Sequence, residues 1–243
     1  MNSPDIAAKL VEWLKGQASA AGVKGAAVGL SGGVDSAVVA GLCARAFPGN
    51  VLGLIMPCHS RPADAEHARL VAEAFGIPAH TVVLDGAFES LIKEYSPWGK
   101  DAAHRRLAEA NLKPRLRMAT LYFHANLYNY LVVGTGNKSE LTVGYFTKYG
   151  DGGVDLLPLG NLVKKQVWEL AAYLGVPQVI IDKPPTAGLW DGQTDEGEMG
   201  LTYAELDEYI LTGRADPETA RKVDEMNRKS EHKKKLPPIA EIF

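Results

Sequence analysis

The hydrophobic residues of this chain fall into short runs that alternate with longer amphipathic stretches. Four runs rich in Val, Ile and Leu predict buried strands of a parallel sheet, because both faces of such strands are covered. They span residues 26–30, 51–56, 80–84 and 130–134. Helical spacing of apolar residues predicts helices between them, over residues 37–47, 63–75, 88–95 and 116–129. The alternation predicts an α/β fold: a doubly wound, mostly parallel sheet with helices on both faces.

Beyond residue 134 the pattern changes. The glycines of residues 150–153 predict a loop, residues 162–174 and 202–211 predict helices, and Pro184-Pro185 predicts a rigid break. Residues 186–199 contain three glycines among acidic residues and few apolar anchors. We therefore expect that stretch to be mobile.

Length and composition exclude several classes of protein. The 243 residues are enough for one large core, so we expect a single domain over residues 1–243. The net charge of -3 implies no global attraction to nucleic acid or membrane. Cys43 and Cys58 form no C-x-x-C pair, which argues against a zinc site or a disulfide framework and fits a reducing cytoplasm. Residues 1–14 have helical spacing and no apolar stretch of signal-peptide length.

The first candidate site follows the first predicted strand. A strand that breaks at two glycines and restarts as a helix directs free backbone N–H groups and the helix dipole at one point, which suits a pyrophosphate. The lysine of a Walker A loop is missing, and a carboxylate beside phosphates implies a bound cation. The local alternative is a strand-to-helix turn capped by Ser or Asp. The loop consists of Leu30, Ser31, Gly32, Gly33, Val34, Asp35 and Ser36.

The second candidate site follows the fourth predicted strand, where residues 134–140 read Gly-Thr-Gly-Asn-Lys-Ser-Glu. Glu140 therefore leaves the sheet at the same carboxyl edge as Asp35, which is where open α/β sheets bind ligands. Two carboxylates beside phosphate oxygens are ligands that Mg²⁺ prefers. The alternative for Glu140 is an acid in a first helical turn that interacts with the helix dipole.

These motifs resemble those of a known enzyme family. The Ser-Gly-Gly-Val-Asp-Ser loop resembles the signature of the N-type ATP pyrophosphatases, which cleave ATP between the α and β phosphates. Three further stretches narrow the resemblance to the NAD synthetases. They are residues 134–140, the Phe-Thr-Lys-Tyr-Gly-Asp-Gly-Gly stretch at 146–153 and the pair His232-Lys233. It covers most of the chain, and it implies the fold of the adenine nucleotide alpha hydrolases.

The resemblance implies a reaction and a set of site residues. The carboxylate of deamido-NAD attacks the α phosphorus of ATP, and ammonia then displaces AMP from the acyl-adenylate to give NAD. Residues 30–36 would hold the ATP phosphates, and Asp35 and Glu140 would bind Mg²⁺ and act with Lys164 in catalysis. Thr135, Lys164 and Thr186 would contact ATP. Taken singly, Lys164 and Arg115 also fit solvated helix charges, and Asp155 fits a turn carboxylate. The residues implied for deamido-NAD are Arg115, Lys148, Asp155, His232 and Lys233.

The remaining expectations concern the ammonia source and the partners. Only about two dozen residues precede the first predicted strand, so we expect free ammonia rather than a fused glutaminase domain. The resemblance implies a homodimer, although we expect the apolar helix of residues 116–131 to belong to the core. The basic residues 228–235 lack interleaved aromatics, which favours dinucleotide phosphates over nucleic acid as their partner. Alternative functions are another ATP pyrophosphatase ligase, or an ATP-binding module without ligase activity.

Overall fold

The computed structural model describes residues 1–95, 102–190 and 192–240. Its centre is a four-stranded, fully parallel sheet of strand order β3-β2-β1-β4. In register, Ala26 of β1 lies opposite Val51 of β2 and Leu131 of β4. The strands are β1 (Ala26–Gly29), β2 (Val51–Ile55), β3 (Ala79–Thr81) and β4 (Leu131–Val133).

Helices fill the connections and the second half of the chain. Several begin at a cap or a proline that the sequence supplies, such as Asn2 before α1, Asn137 before α6 and Thr202 before α10. The helices are α1 (Ser3–Ala21), α2 (Val34–Ala46), α3 (Pro62–Ala74), α4 (Asp85–Tyr95), α5 (Ala102–Tyr128), α6 (Lys138–Val143), α7 (Lys164–Leu174), α8 (Gln178–Ile181), α9 (Asp195–Met199), α10 (Tyr203–Thr212) and α11 (Pro217–Lys234).

Both faces of the sheet are covered, as predicted. On one face, α1, α2, α3 and α7 form the largest apolar cluster with residues such as Val28 and Ile55. On the other face, α4 and α5 pack over residues such as Leu54 and Val132. Because successive residues of β1 alternate between the two clusters, the strand reads as a continuous apolar run. The predicted doubly wound α/β fold is therefore confirmed.

Three elements show the largest differences from the sequence prediction, and the short helices α6, α8 and α9 were not predicted either. Strand β3 was expected to be buried over residues 80–84, but it spans only three residues, all exposed, because it is an edge of the sheet. Helix α5 begins at Ala102 rather than at residue 116, with Pro114 inside it. Helix α11 was not predicted, because among its side chains only Val223 and Ser230 are buried and no apolar stripe marks it.

The expectation that residues 116–131 belong to the core is only partly correct. Ala125 is buried, but Phe123 and Leu127 of α5 are 62% and 67% exposed. Tyr128 is exposed as well. Helix α5 therefore covers the sheet with one face and presents an apolar face to solvent. Within the described ranges, no helix combines the length and the apolar character needed to cross a bilayer.

Candidate active site

A cavity of about 560 Å³ lies at the carboxyl edge of the sheet. It is bounded by the loop after β1, the ends of β2 and β4, helix α5 and the segment that follows α8. Every residue predicted to contact ATP lines this cavity, except Gly32. Glu140 lines it too. The topology thus brings together two motifs that are about a hundred residues apart in the sequence.

Hydrogen bonds of its own serine hydroxyl groups stabilise the loop after β1. The hydroxyls of Ser31 and Ser36 lie 3.0 Å apart, and the Ser36 hydroxyl also donates to the Gly33 carbonyl. Gly32 has a φ of 74°, and a Cβ at this position would lie 2.3 Å from the Asp64 carbonyl oxygen. Glycine is therefore required at position 32 by conformation and by space. Helix α2 begins directly after Gly33, so its N-terminal N–H groups face this loop.

Glu140 has both of the roles that its sequence position allowed. Its Oε2 accepts from the Asn137 backbone N–H, while the Asn137 side chain accepts from the Glu140 N–H, which forms a capping box at the start of α6. Its Oε1 lies 3.5 Å from Lys164 Nζ. One carboxylate oxygen thus fixes the helix, and the other is directed at the site.

Lys164 joins the two predicted metal ligands. Its ammonium donates to Asp35 Oδ2 at 2.5 Å, and its side chain is only 2% exposed. Burial opposes the charged form of Lys164, but Asp35 and Glu140 outweigh burial and raise its pKa. Burial and the neighbouring Asp35 raise the pKa of Glu140 to about 8. The second oxygen of Asp35 accepts from the buried Asn137 amide, so each group of this cluster is oriented.

The cluster fits a cation between two carboxylates. Lys164 Nζ contacts both Asp35 and Glu140, so the two acids converge on one cationic position. Among the described residues, no group of three or more His, Cys, Asp and Glu side chains is placed to hold a metal. A Mg²⁺ ion here would therefore need oxygen ligands from phosphates and water in addition to these two residues.

Sequence reasoning missed a second acidic position in the cavity. Asp195, at the start of α9, is 4% exposed and accepts from the Tyr203 hydroxyl through Oδ2. Within the part of the chain that the structure describes, its Oδ1 is buried without a hydrogen-bond partner. Burial raises the pKa of Asp195. The Tyr203 hydroxyl also lies 3.5 Å from Glu140 Oε1, which places Asp195 beside the predicted site.

A second missed acid organises the helices that carry the site. Asp207 of α10 is buried and accepts from the Ser139 hydroxyl and from the Lys165 backbone N–H. The Ser139 oxygen in turn accepts from the Lys164 N–H. Asp207 therefore ties the start of α7, where Lys164 lies, to α6, where Glu140 lies. Its only sequence signal is an acid on the predicted helix 202–211.

The segment predicted to be mobile is tied to the rest of the structure by named contacts. The Thr186 hydroxyl donates to the Gln193 carbonyl, so Thr186 closes the segment on itself as well as lining the cavity. The Lys113 ammonium donates to the Leu189 carbonyl, and the Arg106 guanidinium lies over the Trp190 ring. The segment covers one wall of the cavity in this arrangement. Its mobility stays a prediction.

The five residues predicted to contact deamido-NAD do not all lie together. Lys148 donates to the His232 carbonyl, and Arg115 donates to the Lys148 carbonyl, so these three lie together beside α11. Lys233 is the member of the set that lines the cavity, and it donates to the carbonyls of Gly144 and Phe146.

Asp155 is engaged elsewhere. Its Oδ1 accepts from the Tyr122 hydroxyl, and its Oδ2 accepts from the Val132 backbone N–H. It therefore stabilises the junction of β4 and α5 through both oxygens. Among the described residues, no hydrogen bond or ion pair links Asp155 to Arg115, Lys148 or His232.

Comparisons with known proteins agree with these motifs. A family model described as NAD synthase matches residues 6–237. The NH(3)-dependent NAD(+) synthetase of Carboxydothermus hydrogenoformans is 54% identical over 95% of both chains. That of Archaeoglobus fulgidus is 49% identical over 100% of this chain and 98% of its own.

Two solved structures of synthetases align with nearly the whole chain. A structure described as NMN synthetase from Francisella tularensis aligns over 100% of both chains with a TM-score of 0.93 and 38% identity. The NH3-dependent NAD synthetase from Campylobacter jejuni aligns over 99% of this chain and 100% of its own, with a TM-score of 0.81 and 31% identity. With a family match over nearly its whole length and relatives of this similarity, the chain belongs to the NAD synthase family.

Proposed function

We propose that the protein is an ammonia-dependent NAD synthetase, a ligase that uses ATP to amidate deamido-NAD to NAD. The observation that carries this proposal is the cluster of Asp35, Lys164 and Glu140 at the mouth of a glycine loop. The similarity to NH(3)-dependent NAD(+) synthetases over nearly the full chain supports it. The products are NAD, AMP and pyrophosphate.

The chemistry requires activation of an unreactive carboxylate. The nicotinate carboxylate attacks the α phosphorus of ATP, the bond to the β phosphate breaks, and an acyl-adenylate and pyrophosphate form. No protein nucleophile is needed, so the residues act by positioning and by neutralising charge. The N–H groups at the start of α2, the hydroxyls of Ser31 and Ser36, and the Lys164 ammonium are the donors for the phosphate oxygens.

Asp35 and Glu140 are the residues that would hold Mg²⁺. The metal would supply charge neutralisation to the leaving pyrophosphate. Lys164 keeps both carboxylates aimed at the same position, and the Asn137 amide fixes the orientation of Asp35. Binding of the metal together with ATP would leave the Lys164 ammonium available for a phosphate oxygen.

Asp195 is placed to receive ammonia. Among the described residues, no hydrogen bond reaches its buried Oδ1, because the neighbouring Tyr145 hydroxyl donates to Glu198, and an acceptor without a donor is costly. Ammonia carries three N–H donors and must lose a proton when it attacks the acyl-adenylate carbonyl. We assign Asp195 as the acceptor for one of those N–H groups, with Tyr203 holding the other carboxylate oxygen.

The second substrate would bind beside α11. Arg115 and Lys148, which lie beside His232, supply positive charge for the phosphates of a dinucleotide, together with Lys233 in the cavity wall. The exposed apolar face of α5 supports a homodimer, because Phe123 and Leu127 would be buried by a second copy. We also propose a single domain and a cytoplasmic location.

The decisive experiment is product analysis by mass spectrometry. The protein is mixed with Mg-ATP and deamido-NAD, and either ammonium or glutamine is added. We expect NAD and AMP with ammonium alone. NAD from glutamine alone would contradict the ammonia assignment. ATP binding without NAD formation in either sample would indicate another adenylating ligase or a nucleotide-binding module.

A second candidate substrate has a specific observation in its favour. The structure described as NMN synthetase aligns over both full chains with a higher TM-score than the Campylobacter jejuni NAD synthetase. The corresponding reaction amidates nicotinate mononucleotide instead of the dinucleotide. Competition between equal concentrations of the two acids in one ammonium reaction separates the candidates. A preference for deamido-NAD is expected, and predominant formation of NMN would reverse the assignment.

A further inference from the structure

Lys183 occupies a position at the phosphate loop that the proposed mechanism does not use. It follows α8 and precedes Pro184-Pro185. Its ammonium lies 3.1 Å from the Gly32 carbonyl oxygen and 2.7 Å from Asp64 Oδ1 of α3. The side chains of Lys183 and Asp64 are 15% and 16% exposed, and both residues line the cavity. The ion pair thus closes the gap between α3 and the loop.

The other cationic side chains that line the cavity have different hydrogen-bond and ion-pair partners from those of Lys183. In the described part of the chain, four Lys and Arg side chains line it. Lys164 is shared by two carboxylates, and Lys233 is fixed by two backbone carbonyls. The half-buried Arg117 donates to the Met56 carbonyl and the Ser60 hydroxyl. Of these four side chains, Lys183 is therefore the one that donates to a backbone carbonyl of the phosphate loop, whereas Lys164 contacts the Asp35 side chain.

A triphosphate at this loop changes the balance of charges around Lys183. ATP brings about four negative charges, and its phosphate oxygens offer stronger acceptors than one carboxylate. The Lys side chain is long and flexible, so its ammonium reaches a new acceptor within a few ångströms without movement of the backbone. Asp64 is the group that loses its partner in such an exchange, and it competes with the phosphates for the ammonium.

We infer that Lys183 is a phosphate-binding residue that leaves Asp64 for the β and γ phosphates of ATP and for the pyrophosphate product. The inference rests on the proposed function, because it requires ATP at the loop. Lys183 lies three residues before Thr186, so its contact with phosphate also anchors the start of segment 186–199 to the nucleotide.

Because Lys183 would leave Asp64 for the phosphates, substitutions of Lys183 and of Asp64 should change ligand affinity in opposite directions. Equilibrium binding of ATP and of pyrophosphate, each with Mg²⁺, is measured by calorimetry for the wild type, K183M, K183R and D64N. K183M is expected to weaken both ligands about tenfold or more, because a charged hydrogen bond is lost. D64N is expected to tighten both several-fold, because the competitor is removed. K183R is expected to retain most of the affinity, and AMP binding is expected to change little in K183M.

Lys222 provides a matched control, because its ammonium donates to the Gly200 carbonyl outside the cavity. K222M should leave ATP and pyrophosphate binding unchanged. Equal weakening by K183M and D64N, or no change in either, would show that the ion pair is purely structural and would overturn the inference. A wild type that binds neither ATP nor pyrophosphate would instead overturn the proposed function, and the inference with it. Circular dichroism of each variant separates loss of binding from loss of fold.

Discussion

Glu140 shows how a single side chain satisfies local folding and chemistry at once. One carboxylate oxygen completes the capping box of α6, and the other lies beside Lys164 and Tyr203. The local reading and the functional reading of such a residue are therefore not exclusive. A substitution at position 140 changes both, so its test needs a control that separates them.

The first prediction concerns the two acids that would hold Mg²⁺. Asp35→Asn and Glu140→Gln are each expected to lower kcat by about 10² to 10³, since removal of one electrostatic stabiliser generally costs about 3 to 4 kcal/mol in the barrier. Glu205→Gln is the matched control, because Glu205 completes the capping box of α10 outside the cavity. Steady-state rates at saturating Mg²⁺ provide the measurement. Wild-type turnover in either site variant would refute the metal assignment.

The second prediction concerns the acceptor for ammonia. Asp195→Asn replaces a charged acceptor by a neutral amide, and we expect the KM for ammonium to rise about tenfold or more while the KM for ATP changes little. Asp224→Asn is the control, since Asp224 also accepts from a tyrosine hydroxyl, but on the exposed surface of α11. An unchanged ammonium KM in Asp195→Asn would remove Asp195 from the ammonia site.

The motifs indicated some site residues and gave no sign of others. Asp35 and Glu140 follow strands, so the parallel topology alone predicts that they meet at one edge. Asp195 and Lys183 lie in a segment without apolar periodicity, and their place in the cavity depends on contacts with Tyr203 and Asp64. The contact between Lys183 and Asp64 joins residues 119 positions apart, and the contact between Asp195 and Tyr203 joins α9 to α10, so the local pattern could not reveal either of them.

At the scale of elements, the site depends on how three helices are joined. Asp207 of α10 connects the Ser139 hydroxyl of α6 with the first N–H groups of α7. Negative charge at a helix N-terminus is favourable, and here it also fixes the element that carries Lys164. The positions of Lys164 and Glu140 relative to each other are thus set from outside the cavity.

The third prediction tests this connection. Asp207→Ala and Ser139→Ala are each expected to lower the free energy of unfolding by about 2 kcal/mol, because buried hydrogen bonds to a charged group are lost. Each should also lower kcat. The double variant should be little worse than Asp207→Ala alone, since both remove the same network. Chemical denaturation and single-turnover rates provide the data, and additive losses would contradict a shared network.

The helical segments that sequence reasoning missed were missed for different reasons. Helix α11 has the Asp216 cap and Pro217 at its start but buries only two side chains, so it lacks the periodicity that reveals a helix. The first half of α5 was not predicted either, and Pro114, a residue type that disfavours helix interiors, lies inside this helix. Strands β1 and β2 were found because both of their faces are buried.

At the scale of the whole molecule, the exposed face of α5 is the feature that a single chain does not explain. Phe123, Leu127 and Tyr128 are all more than half exposed on it. The sequence places these residues on a helix but cannot distinguish a core face from an interface, because both are apolar. The burial pattern separates the buried face of α5 from the exposed one, and the homodimer proposed above would cover the exposed face.

The fourth prediction follows for the assembly. Sedimentation equilibrium should find the wild type as a dimer, and Phe123→Ser with Leu127→Ser should raise the dimer dissociation constant about a hundredfold or more. The estimate assumes that each apolar side chain contributes about 1.5 to 3 kcal/mol when buried. Leu211→Ser is the control, since Leu211 is comparably exposed on α10. A monomeric wild type would refute the homodimer.

The contact of Lys233 with the carbonyls of Gly144 and Phe146 has a consequence for the order of events during synthesis. Lys233 completes a wall of the cavity, and the ribosome adds it 89 positions after Gly144. All four strands and the glycine loop are therefore synthesised well before the residue that completes the cavity. Ligand binding is a property of chains synthesised past residue 233, and premature termination before that residue would leave the pocket without this part of its wall.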